Sequence, residues 1–175
     1  MFKTLQSEKK YQGKAFTVRQ DQVRLPDGRT TQLDIVEHIG AVTILPVDEN
    51  ENIWFVRQYR HATGEALLEL PAGTLEVGEP PIQCAQRELQ EEIGMIAQNL
   101  TLLGEFFLAP GYSTEYMYVY LATSMTPSRL PGDDDEFLSV EKIHLPDVLA
   151  MAATGQIRDA KTLAALMLAA STMKE

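Results

Sequence analysis

The 175-residue chain has a single cysteine, Cys84, which excludes an intrachain disulfide and any cysteine-rich zinc site. Long hydrophobic runs are also missing. The most apolar stretch, around Leu163 to Ala170, falls far short of the roughly 20 residues that a membrane-spanning helix requires. The opening segment MFKTLQSEKK has no apolar core of the kind a secretory signal carries, so a cytoplasmic location is expected. There is no internal repeat and no low-complexity tract. Positive charge is scarce: with 15 Lys and Arg against 25 Asp and Glu, the net charge is -10. That balance argues against a broad surface for nucleic acid or anionic membrane, because both require clustered bases.

The scarcity is uneven. Residues 1–38 carry seven bases against five acids, whereas the remainder carries eight against twenty. Between His61 and Ser128 the only base is Arg87. An anionic substrate would therefore meet carboxylates in the middle of the chain and need metal ions there. Fixed positive charge has to come from Arg57, Arg60 or the N-terminal segment.

What is present suits one domain of ordinary size with an extension, at 45% hydrophobic composition. Strand-like runs AFTVRQDQVRL and TTQLDIVEH flank Pro26-Asp27-Gly28, whose residues respectively preset φ, bond the backbone and accept positive φ. They predict an antiparallel hairpin or three-stranded unit, too small to be stable alone. AVTILPV (41–47) and NIWFVRQYR (52–60) read as a central strand pair, and LLELPAG (67–73) as a short strand running into a turn. Further strands are expected near 100–108, 115–122 and over FLSVEKIHL. Two helices follow, one near 146–154 ending at Gly155, the other over about 159–172 with Thr162, Leu163, Leu166 and Ala170 on helical spacing. Strands mixed with a few helices, without βαβ alternation, indicate an α/β layered domain with a mixed sheet.

The chain is organised around residues 73–95, GTLEVGEPPIQCAQRELQEEIGM. At about 100° per residue, Ile82, Ala85, Leu89 and Ile93 form a narrow apolar face from Pro81 onward. Glu88 and Glu92, four apart, lie at its margin, and Glu91 continues the acidic stripe away from it. Like charges at that spacing cost a free helix roughly 0.2–0.5 kcal/mol, a cost that a bound cation removes. Read alone, such a cluster is a solvated acidic face; what precedes the helix changes that reading.

Gly73, five residues, Glu79, seven residues, and then Arg87-Glu88-Leu89-Gln90-Glu91-Glu92-Ile93-Gly94-Met95 match the Nudix box at all nine specified positions. This resemblance implies an α/β/α sandwich with a mixed sheet that hydrolyses a nucleoside diphosphate linked to another group. It implies Mg²⁺, with Mn²⁺ or another divalent cation as the alternative, and two or three ions per site. The implied ligands are Glu88, Glu91, Glu92 and the backbone carbonyl of Ala72. Mg²⁺ takes oxygen ligands and is commonly held by one or two carboxylates with phosphate and water, which suits the stripe. Arg87, adjoining Glu91, is expected to orient a carboxylate or to form an ordinary helix salt bridge. Glu79 pairs with Arg87 or contacts metal-bound water, Glu76 sits at a variable position, and Cys84 is a small packing residue.

Outside the box, VRQYRHATGEALLELPAG, the APGYSTE segment with Pro110, and YQGKAFTVRQDQVRLPDGR are similar to the ADP-ribose pyrophosphatase branch of the Nudix family. That likeness implies a small antiparallel β-unit (1–38) exchanged across a homodimer, and a Nudix hydrolase domain (39–175). It places Arg57 on phosphate, Glu115 on the nucleoside part from across the dimer, and Arg19 and Arg29 at the partner's pocket, with Arg60 a further substrate-binding candidate. The general base is expected in the segment DDDE (133–136), with Asp133, Asp135 and Glu136 all open, alongside Glu91 on the helix. The expected reaction is hydrolysis of ADP-ribose to AMP and ribose 5-phosphate. GDP-mannose or ADP-glucose is the rival substrate, and a non-catalytic ADP-ribose sensor is the rival of another class.

Overall fold

The computed structural model describes residues 1–132 and 137–170. Among them the chain forms two compact units. The first comprises Met1–Gly40 together with Phe106–Tyr116, and the second takes Ala41–Glu105 and the chain from Met117 onward.

The first unit is an antiparallel sheet in the order β1 (Lys3–Gln12), β2 (Thr17–Arg24), β3 (Thr30–Glu37). The Pro26-Asp27-Gly28 turn joins β2 to β3 as its residue types dictate. Gly28 takes φ +89°, and the Asp27 carboxylate accepts the Arg29 N–H at 3.1 Å. β1 starts well before Tyr11, where the alternating pattern begins, because its residues are exposed along the whole strand and carry no apolar signature. The segment carrying APGYST belongs to this unit. Val36 N–H donates to the Tyr112 carbonyl at 2.8 Å and Thr114 N–H to the Val36 carbonyl at 2.9 Å. The Thr114 hydroxyl closes the contact, accepting from His38 N–H and donating to the His38 carbonyl.

The second unit contains two sheets. One has the order β7 (Ala72–Thr74), β4 (Ala41–Pro46), β9 (Tyr116–Pro127), β8 (Met95–Phe107), with β4 parallel to β9 and antiparallel to β7. The other is β10 (Leu138–His144), β5 (Asn52–Arg60), β6 (Glu65–Glu69), antiparallel throughout. The expected pairing of β4 with β5 does not occur beyond one bridge, Val47 to Ile53. Each strand is instead central in its own sheet, with both edges already occupied. All six residues of β4 are buried, as a strand covered on both faces requires. Helices α1 (Pro81–Glu92) and α3 (Ala160–Ala169) both pack on it, and α2 (Leu145–Ala153) lies against β10 and β5. The result is the mixed α/β/α arrangement expected from the sequence.

Helix boundaries follow local chemistry. Proline occupies the first turn of α1 and of α2, where a missing N–H costs nothing. Asp159 caps α3 by accepting the Thr162 N–H at 3.0 Å. Gly94 and Gly155, at φ +69° and +73°, end α1 and α2. Two helical faces differ from the periodicity. Ile82 is 47% exposed while Cys84 is fully buried, so the inward stripe of α1 is Cys84, Ala85, Glu88, Leu89 and Glu92. On α3 the buried set is Lys161, Thr162, Ala165, Leu166 and Ala169, with Leu163 and Ala170 facing outward. In both cases polar side chains with partners inside the protein rotate the helix away from its purely apolar phase.

The turn between β4 and β5 is built on Asp48. Its carboxylate accepts the N–H groups of Asn50 and Asn52, the Asn52 amide and the Trp54 indole, at 2.9–3.2 Å. Burial acts to raise this carboxyl, but the donors outweigh it and leave it below the usual range. Asp48→Ala should lower stability in urea by about 2 kcal/mol, a loss of several bonds to one charged group. Because the folded-state value is depressed, that contribution is complete above about pH 4, the unfolded value, and is lost as pH falls through the lower folded value. Unfolding curves of both proteins between pH 7 and pH 3 should therefore converge on the acid side.

Candidate active site

Because the inward stripe of α1 includes Glu88 and Glu92, the helix carries two carboxylates into the protein rather than along its margin. They are 8% and 4% exposed. Burying a carboxylate is costly unless partners satisfy it, and the chain supplies those partners from β7 and from α1 itself. The Ala72 N–H, at the start of β7, donates to Glu92 Oε2 at 3.1 Å. The Arg87 Nη1 donates to Glu88 Oε1 at 2.6 Å and to Glu91 Oε2 at 2.9 Å.

Arg87 is the hub of the site. Its Nε and Nη2 also grip Glu79 at 3.0 and 3.1 Å, and Nη2 reaches the Thr74 carbonyl at 3.3 Å. One guanidinium thus serves three carboxylates from two segments. Glu79, chiefly through its bond to Arg87, is held below the usual carboxylate range. Arg87 is raised above its ordinary value, foremost by the bond to Glu79 and also by the charge of Glu88, against the opposing effect of burial. Glu79 Oε2 additionally accepts the Glu76 N–H at 2.9 Å, which closes the loop before α1. Glu76 itself is exposed.

Gly73 is required for space. A Cβ there would collide with the Glu88 carboxylate, which Arg87 holds in place. Cys84 lies beneath the cluster, fully buried and 3.3 Å from Arg87 Nη2. Burial, the largest influence, pushes its thiol up, so it stays protonated and serves packing.

The C-terminal end of α1 anchors the segment leading to residues 133–136. Ser128 N–H donates to the Gly94 carbonyl at 2.9 Å and Leu130 N–H to the Gln90 carbonyl at 3.2 Å. The Gln90 amide bonds the Ser128 hydroxyl at 2.8 Å. The base candidates Asp133, Asp135 and Glu136 lie outside the described residues.

The other sequence-derived candidates are engaged elsewhere. Arg57 Nε pairs with Glu141 at 2.5 Å, across from β5 to β10. Arg60 forms a two-point pair with Glu69, 2.8 Å at each contact. In the first unit Arg19 lies 2.8 Å from Asp21 and 3.0 Å from Glu37, and Arg29 pairs with Asp27 in its own turn. Glu115 is half-buried, its N–H bonded to the Ser113 hydroxyl. Glu69, Lys161 and Thr162 were not singled out as site residues by their pattern. A signal existed, since Glu69 interrupts the apolar run LLELP and Lys161 stands on an otherwise apolar helix.

The donor chemistry fits a hard divalent cation. The ligands offered are all oxygen, on carboxylates buried with a single arginine between them, the composition such a cation favours. Among the described residues no three such side chains are gathered for a metal; Glu88 and Glu91 bond Arg87.

Residues 37–166 match the NUDIX domain family, and residues 2–32 match the nucleoside diphosphate sugar hydrolase N-terminal domain. The chain is 37% identical to an ADP-ribose pyrophosphatase of Bacillus subtilis (strain 168) over 94% of its own length and 90% of that protein's. It is 49% identical to an ADP-ribose pyrophosphatase of Mycobacterium tuberculosis over 71% of its length and 60% of the relative's. A crystal structure of an ADP compounds hydrolase superposes with a TM-score of 0.88 at 26% identity, covering 99% of this chain and 94% of that one.

Gly73→Ala tests the geometry directly. The added methyl should displace Glu88 and lower divalent-cation affinity by about tenfold or more, the usual scale for disturbing what orients a ligand. Circular dichroism should remain that of the parent, and isothermal titration with Mn²⁺ reads the loss.

Proposed function

The chain belongs to the NUDIX domain family, and on that premise we propose that it hydrolyses the pyrophosphate bond of ADP-ribose, giving AMP and ribose 5-phosphate. The observation that carries the chemistry is the convergence of Glu79, Glu88 and Glu91 on Arg87, with Glu92 held beside them by the Ala72 N–H. The choice of ADP-ribose rests on the likeness to the two ADP-ribose pyrophosphatases.

Members of this family use divalent cations, and Mg²⁺, two or three ions per site, is the proposed cofactor here. Glu88, Glu91, Glu92 and the Ala72 carbonyl would hold it. Bound there, such a cation neutralises phosphate oxygens and lowers the pKa of water. The chain's own residues set up the remainder. Glu92 accepts the backbone N–H of Ala72, so its position is tied to β7. Arg87 orients Glu88 and Glu91 while offsetting their mutual repulsion. In the overall reaction water adds to phosphorus, the bond from that phosphorus to the bridging oxygen breaks, and the two phosphates separate. One acid among Glu91, Asp133, Asp135 and Glu136 takes the water's proton. Arg57 and Arg60 are proposed to meet the phosphates.

The proposed assembly is a homodimer exchanging the 1–38 unit, with Arg19, Arg29 and Glu115 reaching the partner's nucleotide pocket, and the proposed location is the cytoplasm. No helix among the described residues is long and apolar enough to cross a membrane.

With Mg²⁺ present, ADP-ribose should outrun GDP-mannose and ADP-glucose in a side-by-side assay of phosphatase-sensitive monophosphate. Glu92→Gln should cut turnover by about a hundredfold or more, the scale of losing one preorganised charged group, and still bind ADP-ribose. Binding without hydrolysis by the unaltered chain would instead make it a sensor. Full activity of Glu92→Gln would remove that residue from the chemistry.

A further inference from the structure

Outside the Arg87 cluster, the most deeply buried charges among the described residues of the second unit meet where α3 begins and β6 ends. Glu69 is 2% exposed; its two oxygens accept from Arg60 and from the Lys161 ammonium. Burial works to raise the Glu69 carboxyl, and these two cations reverse that and hold it low. Lys161 also lies 3.0 Å from Asp159. The next residue, Thr162, is fully buried and uses its hydroxyl twice. It donates to Asp159 Oδ2 at 2.6 Å and accepts the Leu70 N–H at 2.9 Å.

Two consecutive residues of α3 therefore hold two consecutive residues of the chain, Glu69 by its side chain and Leu70 by its backbone. Pro71 follows, its carbonyl accepting Ile44 N–H at 2.8 Å. Ala72 comes next, and its N–H holds Glu92. After it, Gly73 faces Glu88 with no room to spare. Apolar side chains of similar volume would stabilise a core as well as a buried ion pair, and often better. What the polar contacts add is register. A slip of one residue in this segment would turn every side chain to the opposite face and carry the Ala72 N–H away from Glu92.

We propose that Lys161 and Thr162 are positioning residues for the cation-binding carboxylates, acting through Glu69, Leu70 and Ala72. The inference rests on the divalent-cation reading above, so its test measures the cation directly. Thr162→Val replaces the hydroxyl with a methyl of nearly the same shape, and Thr162→Ser restores the hydroxyl with less bulk. Mn²⁺ affinity of each substrate-free protein is measured by titration calorimetry, alongside melting temperature, kcat and KM. Thr162→Val and Lys161→Met should weaken Mn²⁺ binding about tenfold, the scale of losing a group that orients a ligand. They should lower kcat in parallel and leave KM for the nucleotide unchanged, while Thr162→Ser should bind Mn²⁺ close to the parent. If Lys161→Met does not fold, the two Thr162 variants decide alone. Parent-like Mn²⁺ affinity in Thr162→Val overturns the proposal whatever its melting temperature, as does equal weakness in Thr162→Ser. A parent chain that binds no Mn²⁺ removes the cation reading, and this inference with it.

Discussion

The site depends on one guanidinium. Arg87 is the sole base between His61 and Ser128, and it bonds Glu79, Glu88 and Glu91 at once. Without it, Glu79, Glu88 and Glu91 would lose the one guanidinium that bonds all three, at a desolvation cost a folded domain does not tolerate lightly. With it, the cluster remains strongly acidic overall. A helix that keeps such an excess of negative charge in its inward stripe stores affinity for a divalent cation, and the fold offsets the cost elsewhere through the packing of Cys84, Ala85 and Leu89 against β4.

The carboxylates are held from two directions. Arg87 reaches them along the helix surface, and the segment from Glu69 to Gly73 reaches them from the strand side. That segment is fixed in turn by β4 on one flank, through Pro71 and Ile44, and by α3 on another, through Lys161 and Thr162. Rigid backbone at a catalytic position has a functional logic, since a displacement of an ångström can cost far more in rate than in stability. The position of Glu92 is thereby tied to a helix some seventy residues downstream.

Much of the fold was legible before any coordinates. The Pro-Asp-Gly turn, the buried run of β4, the ends of α1 and α2 at Gly94 and Gly155, and the Asp159 start of α3 all follow from local rules that need no distant partner. The failures have a common cause. β4 and β5 read as a pair because both are apolar and separated by a tight turn, yet β4 accepts β7 and β9, and β5 accepts the next strand, β6, and the distant β10. Ile82 and Leu163 read as core because periodicity counts apolar residues alone, whereas Glu88, Glu92, Lys161 and Thr162 rotate inward to meet polar partners.

The sequence by itself determined the chemistry on offer: a complete nine-position box, its three helix carboxylates, its one arginine and the glycine that opens it. Residue type and spacing along one helix suffice for that, since helix geometry is set by the backbone. Only the tertiary structure decided how those groups are held. Whether Glu88 and Glu92 sit at the margin or inside, whether Arg57 and Arg60 stand open or are paired with Glu141 and Glu69, and whether α3 has any bearing on the site depend on contacts between segments distant in the chain. Such contacts exist only once the layers close, because burial is what turns a surface carboxylate into one that must be satisfied.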